Sequence, residues 1–246
     1  MFYEMKNLKL HVERIGQGQP LLILHGWAGH MAPMKAVFEP SFTSESTIER
    51  IYIDLPGMAE SVATLSVLTT DFVLESLLEF IQAEIKDPLL LAGYSYGGYL
   101  ARAISAQIPE QIKGLFLLVP MIEPAHDKRQ LPDVDWFYET AICKQARKKS
   151  DAFWLVQNEV ALDQLRKHYG LQKSIAQVPV FEKPTLILLG QQDGTVGYKD
   201  QLKMLDDYPR ASFAILDMAG HNLQMEQSQV FNFFVKNWLE RCEKNG

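Results

Sequence analysis

Short, mostly apolar runs separated by longer amphipathic stretches set the rhythm of this chain. Leu21–Leu24, Ile48–Ile53, Leu89–Ala92, Ile112–Val119, Thr185–Leu189 and Ser212–Leu216 are each bounded by glycine, proline or charged residues. Runs of that length suit strands buried on both faces of a sheet. Between them, apolar residues recur at spacings of three and four. One such stretch holds Phe72, Val73, Leu77, Leu78, Ile81 and Ile85 behind a possible cap at Thr69 or Thr70; a second holds Tyr99, Leu100, Ala101 and Ile104; a third holds Val230, Phe231, Phe234, Val235 and Trp238. That spacing predicts helices with one buried stripe. Strands alternating with helices predict a parallel, doubly wound α/β sheet. Near the N-terminus, Met5–Val12 alternates in the manner of a strand, and the turn residues Gly16–Pro20 predict a hairpin with Leu21–Leu24.

The rhythm breaks once. From Met121 to Lys183 the strand–helix alternation gives way to helical stretches rich in aromatics and charge. Residues 1–120 and 184–246 then form one α/β core, and 121–183 a helical cap inserted over the strand ends, where ligands of open α/β sheets bind. Most of its aromatics are expected to pack the cap onto the body. Trp136 and Trp154, with Trp27 from the core, are candidates to line a mostly apolar substrate pocket. The basic run Lys144, Arg147, Lys148 and Lys149 reads as a solvated helix face.

Composition narrows the class. The 246 residues are 47% hydrophobic and 22% charged, as in a globular domain, and the net charge of −6 argues against nucleic acid as a partner. No apolar run approaches the ~18 residues that cross a bilayer. The start, Met1-Phe2-Tyr3-Glu4-Met5-Lys6, lacks the basic-then-apolar order of a secretory signal, which makes a cytoplasmic location the expectation. The two cysteines, Cys143 and Cys242, have neither disulfide-framework nor metal-site spacing. Oligomeric state is not encoded in any pattern of this kind.

The chemistry concentrates at strand ends. Gly93-Tyr94-Ser95-Tyr96-Gly97 fits G-x-S-x-G at a strand-to-helix turn, where glycines at both flanks let the backbones close and leave the serine hydroxyl above the sheet. The amide after the serine then lies at a helix N-terminus, where partial positive charge favours an oxyanion. After the first buried strand comes His25-Gly26-Trp27-Ala28-Gly29, in which the Trp27 amide can aim at the same point while His25 holds the loop. Asp54-Leu55-Pro56-Gly57 is a turn that Asp54 pins. Asp193 follows a later strand in a glycine-bounded loop, and His221 follows the last. The order Ser95, Asp193, His221 is that of nucleophile, acid and base for this type of elbow. Glu123 and Asp217 compete for the acid role, but the loop and chain order of Asp193 fit better.

These motifs resemble those of the α/β-hydrolase superfamily over essentially the whole length. His25-Gly26-Trp27, Asp54-Leu55-Pro56-Gly57, Gly93 through Gly98, Gly190-Gln191-Gln192-Asp193 and Gly220-His221 carry the likeness; Ala59 stands where members often have a further glycine. The resemblance implies a mainly parallel eight-stranded sheet with a helical cap after the sixth strand. It also implies Ser95 as nucleophile, His221 as base, Asp193 as orienting acid, and the Trp27 and Tyr96 amides as the oxyanion hole. No metal or organic cofactor is then required. The implied activity is hydrolysis of a small ester, thioester or related acyl substrate through an acyl-enzyme. The alternatives are carbon–carbon, lactone or amide hydrolysis by the same residues, and a non-catalytic ligand-binding role for the fold.

Overall fold

The structure, a computed structural model, describes residues 1–173 and 178–244. Positions 174–177 of the expected cap and 245–246 of the expected core lie outside the described residues. In chain order the core strands are β1 (Phe2–Met5), β2 (Leu8–Ile15), β3 (Gln19–Leu24), β4 (Ile48–Ile53), β5 (Val62–Ala63), β6 (Leu89–Tyr94), β7 (Ile112–Leu118), β8 (Thr185–Gly190) and β9 (Ala211–Leu216). Eight of them form one sheet in the order β1-β2-β4-β3-β6-β7-β8-β9, and the two-residue β5 adds a ninth strand by pairing with β2. From β4 to β9 every pairing is parallel, whereas β1–β2 and β2–β4 are antiparallel.

The expected hairpin between β2 and β3 does not form. β4 lies between them, parallel to β3 with Gln19 opposite Ile48, and antiparallel to β2 with Val12 opposite Ile53. Burial explains the choice. Five of the six β3 residues are buried, which demands a strand on each side, while β2 alternates buried and solvated positions and suits a place nearer the edge. The hairpin that does form joins β1 to β2, turning at Lys6-Asn7 with Asn7 at φ 65°, so the single strand expected from Met5 to Val12 is two.

Helices α1 (Met31–Phe38) and α8 (Ser228–Glu243) cover one face of the sheet, and α2 (Thr70–Glu84) and α3 (Tyr96–Gln107) pack together on the other. On the first face Phe38, Phe231 and Trp238 surround Phe116 of β7, with ring centroids 5.2–5.9 Å apart. The buried stripe of α8 is Phe231, Val235, Trp238, Leu239 and Cys242, while of the residues expected inward Phe234 is half-buried and Val230 is 36% exposed. Of the two possible caps on α2 it is Thr69 that acts, its side chain accepting the Phe72 amide at 3.1 Å. Among the described residues no helix is long and apolar enough to cross a membrane.

Between β7 and β8 the described chain carries a 3-10 turn (His126–Lys128), three α-helices and no strand: α4 (Asp135–Tyr138), α5 (Ala141–Asp151) and α6 (Glu159–Lys167). Tyr169, just beyond α6, stacks on Tyr96 of α3 at 5.4 Å and meets Trp27 edge-on at 4.7 Å. The Thr70 hydroxyl donates to the Tyr169 carbonyl and accepts from the Tyr96 hydroxyl, so this aromatic trio is also tied by polar bonds. Lys144, Arg147, Lys148 and Lys149 are all on the exposed side of α5.

The chain leaves β3 toward β4 on one side and β6 toward β7 on the other. This divergence of connections at two adjacent strands opens a crevice at their C-terminal ends. The loops that follow β3, β4, β6, β8 and β9 all emerge at that edge.

Candidate active site

Ser95 occupies the turn between β6 and α3 with φ 54° and ψ −113°, a backbone conformation that L-residues rarely adopt. The flanking glycines are what make the turn possible. A Cβ on Gly93 would stand 2.3 Å from the Gly97 carbonyl oxygen, and one on Gly97 would stand 2.5 Å from the His25 carbonyl oxygen. The strained turn is held from both sides, since the Ser95 amide donates to Leu118 O at 3.0 Å and the Ser95 carbonyl accepts from Tyr99 and Met121.

Ser95 Oγ lies 3.0 Å from His221 Nε2, and His221 Nδ1 lies 2.8 Å from Asp193 Oδ2. Asp193 is fully buried, and its other oxygen accepts the Thr195 and Val196 amides at 2.8 and 3.0 Å. A carboxylate that only accepts places the imidazole proton on Nδ1 and leaves Nε2 with a lone pair facing the serine hydroxyl. The competing carboxylates are engaged elsewhere. Asp217 accepts from the Gln192 side chain at 2.9 Å, and Glu123 accepts the Ala125 amide at 2.9 Å.

His25 is a fixture of its loop. Its ring is buried, Nε2 accepts the Leu55 amide at 2.9 Å, and Nδ1 donates to the Gly26 carbonyl at 2.7 Å. Burial lowers its pKa to about 4, in keeping with a neutral ring that needs one nitrogen as acceptor. A carbonyl and the amide that follows it point opposite ways across a trans peptide. The bond to Gly26 O therefore also sets the direction of the Trp27 N–H. Among the described residues, neither the Trp27 nor the Tyr96 amide donates to another protein group. Asp54, expected to pin its own turn, instead ties the end of β4 to α1 and β2, accepting the Met31 amide at 2.8 Å and pairing with His11 Nδ1 at 2.8 Å, and reaches its own loop through the Glu60 amide at 3.4 Å.

A cleft of about 460 Å³ opens beside these groups, between the loop after β3 and the segment from Ser150 to Leu162. Gly26, Trp27, Tyr94 and Asn222, chain neighbours of the site residues, form its floor, and Phe153, Trp154 and Leu155 form its opposite wall. Trp27 and Trp154 are thus both in the lining. Trp136 is not brought there: it is 53% exposed and touches Phe137, whose own ring is fully buried and takes the inward face of the one-turn α4. A larger hollow of about 720 Å³, bordered by Pro20, Pro88, Lys113 and Pro184, lies at the other end of the strands and meets none of the site residues.

Three polar residues around the site escaped the sequence pattern. Gln157 bridges the walls, accepting the Ala59 amide at 2.9 Å and donating to Gly29 O, and His30 Nε2 donates to Phe153 O at 2.7 Å. Glu226, in the short helix α7 (Leu223–Glu226), is buried and accepts the Gly220 amide. Only the five-residue interval from His221 to Glu226 could have marked it, and that interval has no meaning before the turn is seen. Ala59, where a glycine is common, has φ 48°, so its backbone occupies the region that favours glycine.

A doubly wound sheet with a serine turn at its centre is the architecture of an α/β hydrolase. The family model for the alpha/beta hydrolase fold matches residues 19–168, more than half of the chain, and the chain belongs to that family. It is 26% identical, over 94% of its length and 98% of the relative's, to a pimeloyl-[acyl-carrier protein] methyl ester esterase of Shewanella woodyi. Among solved structures it is similar to an alpha/beta superfamily hydrolase from Oenococcus oeni, with TM-score 0.83, 28% identity and 99% of both chains covered. A thermophilic esterase from Thermogutta terrifontis shares the fold at TM-score 0.77 and 22% identity over 96% and 94% of the two chains. The protein is accordingly an enzyme with esterase-like activity.

Proposed function

We propose that the protein hydrolyses a small ester or thioester through an acyl-enzyme formed on Ser95. The observation that carries this reading is the unbroken hydrogen-bonded line from Ser95 Oγ through His221 to Asp193. His221 Nε2 removes the hydroxyl proton as Oγ attacks the acyl carbon, and Asp193 stabilises the resulting imidazolium. The Trp27 and Tyr96 amides receive the oxyanion, a contribution of typically ~3 kcal/mol per donor in such sites. His221 then gives its proton to the leaving alkoxide or thiolate. In the second half a water attacks the acyl carbon, His221 takes its proton and returns it to Ser95, and the acid leaves.

Residues 121–183 act as a cap in this reading, with the Ser150–Leu162 segment closing the substrate cleft. The apolar lining from Trp27, Phe153 and Trp154 favours an aliphatic or aromatic acyl chain over a highly polar one. The relatives named as methyl ester esterases support an ester as the scissile bond.

The test is labelling with a fluorophosphonate probe, together with turnover of p-nitrophenyl esters of graded chain length. Wild type is expected to label and turn over, and Ser95→Ala to do neither. A folded wild type inert in both assays would remove the hydrolase reading.

A further inference from the structure

Behind the His221–Asp193 pair lies a second carboxyl that the proposed chemistry does not use. Glu226 is 9% exposed, and its Oε2 accepts the amide of Gly220, the residue immediately before His221. Its other oxygen stands 3.4 Å from where a Cβ on Gly220 would lie, and the Phe137 ring approaches the same point at 2.9 Å. The Gly220–His221 corner is therefore clasped between a carboxyl and an aromatic edge. A short loop after an edge strand needs such a clasp, since β9 is covered by a neighbour on one side only.

We propose that Glu226 is a positioning residue for His221: by holding the Gly220 amide it aims the imidazole at Ser95, and through its charge it adjusts the basicity of Nε2. The inference rests on the assignment of His221 as the base. Glu226 is not in the cleft lining, so it acts through the Gly220 amide it holds and through its charge beside His221.

The electrostatic half follows from what surrounds the carboxyl. Asp193 and His221 face it from the loops after β8 and β9, the Tyr94 hydroxyl from the end of β6, and Cys143 from α5, with Arg147 one turn further along that helix against Cys143. Burial, reinforced by the charge of Asp193, raises the pKa of Glu226 to about 7, against the pull of the Gly220 amide and of His221. Below that pH the carboxyl is neutral and keeps the Gly220 bond through its carbonyl oxygen. Above it, a second negative charge stands beside the imidazole, where the attraction between Glu226 and a charged His221 favours the imidazolium.

Two substitutions separate the two halves. Glu226→Gln keeps an acceptor for Gly220 and abolishes the charge; Glu226→Ala removes both. With p-nitrophenyl butyrate, Glu226→Gln should retain a plateau kcat within about threefold of wild type, and the upper part of its kcat/KM acid limb, near and above about pH 7 where the wild-type carboxyl ionises, should move down in pH. Glu226→Ala should lose about tenfold or more in kcat, with KM little changed, because the loss lies in aiming the base rather than in binding. Should Glu226→Ala not fold, the acid limb of Glu226→Gln decides alone. An acid limb of Glu226→Gln that superimposes on wild type, or a Glu226→Ala kcat within twofold of wild type, overturns the proposal. Ser95→Ala is run alongside. If it is inactive while the Glu226 variants match wild type, only the role of Glu226 fails; if it retains turnover, the reading of the whole site fails and the role of Glu226 with it.

Discussion

Gly97→Ala probes the mechanical coupling between the serine turn and the loop after β3. A single methyl at this position would stand 2.5 Å from His25 O, 2.6 Å from Leu24 O and 2.8 Å from the Leu24 carbonyl carbon. All three atoms are backbone at the end of β3, so no side chain can swing aside. Ordinary van der Waals contact begins near 3.4 Å, so α3 and β3 must part by close to 1 Å at this point. The same movement separates the Tyr96 amide from the Trp27 amide and lengthens the 3.0 Å bond from Ser95 to His221. Overpacking against backbone typically costs about 1–3 kcal/mol. A displacement of about 1 Å at reacting groups costs on the order of 10²-fold in rate. Urea denaturation should show the stability loss, and kcat/KM for p-nitrophenyl butyrate, corrected for the fluorophosphonate-titrated fraction, should show the rate loss. Gly170→Ala is the control: its Cβ would meet only Pro124 side-chain atoms at 3.3 Å, and its stability should stay within about 0.5 kcal/mol of wild type. A Gly97→Ala protein that matches the control in both stability and rate would refute the reasoning.

Three further outcomes follow from the geometry. Asp193→Asn should lower kcat by about 10³–10⁴ by disfavouring the Nδ1–H tautomer, while Glu123→Gln, which alters only a local turn, should stay within about twofold on the same pH–rate comparison. Ser95→Gly should be more stable than Ser95→Ala by about 1 kcal/mol in denaturant melts, because glycine relieves φ 54° and part of that gain is offset by its looser unfolded chain. Glu226 has a folded pKa near 7 against an ordinary 4.5, so the folded chain holds a proton that the unfolded chain releases between those values. Its contribution to stability therefore falls as pH rises from about 4.5 to 7, and Glu226→Gln should gain on wild type between pH 5 and pH 8 by about 1–2 kcal/mol once partial exposure to water is discounted.

The strands and the serine turn were legible because their signals are local. β4 has the bounds that its apolar run predicts, and Gly93 and Gly97 flank Ser95 for a steric reason visible in five residues. What was illegible depends on partners far along the chain. The neighbour of β2 is decided by how deeply β3 must be buried, and β4 intervenes for that reason although a hairpin satisfies the turn signal equally well. Trp136 and Trp154 look alike as aromatics in a helical segment, yet the face that Phe137 takes carries Trp136 away from the cleft. Glu226 illustrates a third kind of blindness. A glutamate in a short helix reads as a surface charge until the loop folds over it.

The order of the sheet has a consequence for how the molecule comes into being. Ser95 and both candidate oxyanion amides are present once the first hundred residues exist, but β7 pairs on its outer side with β8, which begins at Thr185. During synthesis the edge of β7, where the Leu115 and Val119 amides will later bond to Pro184 O and Leu188 O, must wait for more than sixty further residues. Asp193 follows β8, the strand that closes this edge, and His221 follows β9, which pairs with β8 in turn. A nascent chain therefore carries an open sheet edge over the same interval in which Ser95 lacks the His221 and Asp193 side chains that line up with it in the finished fold.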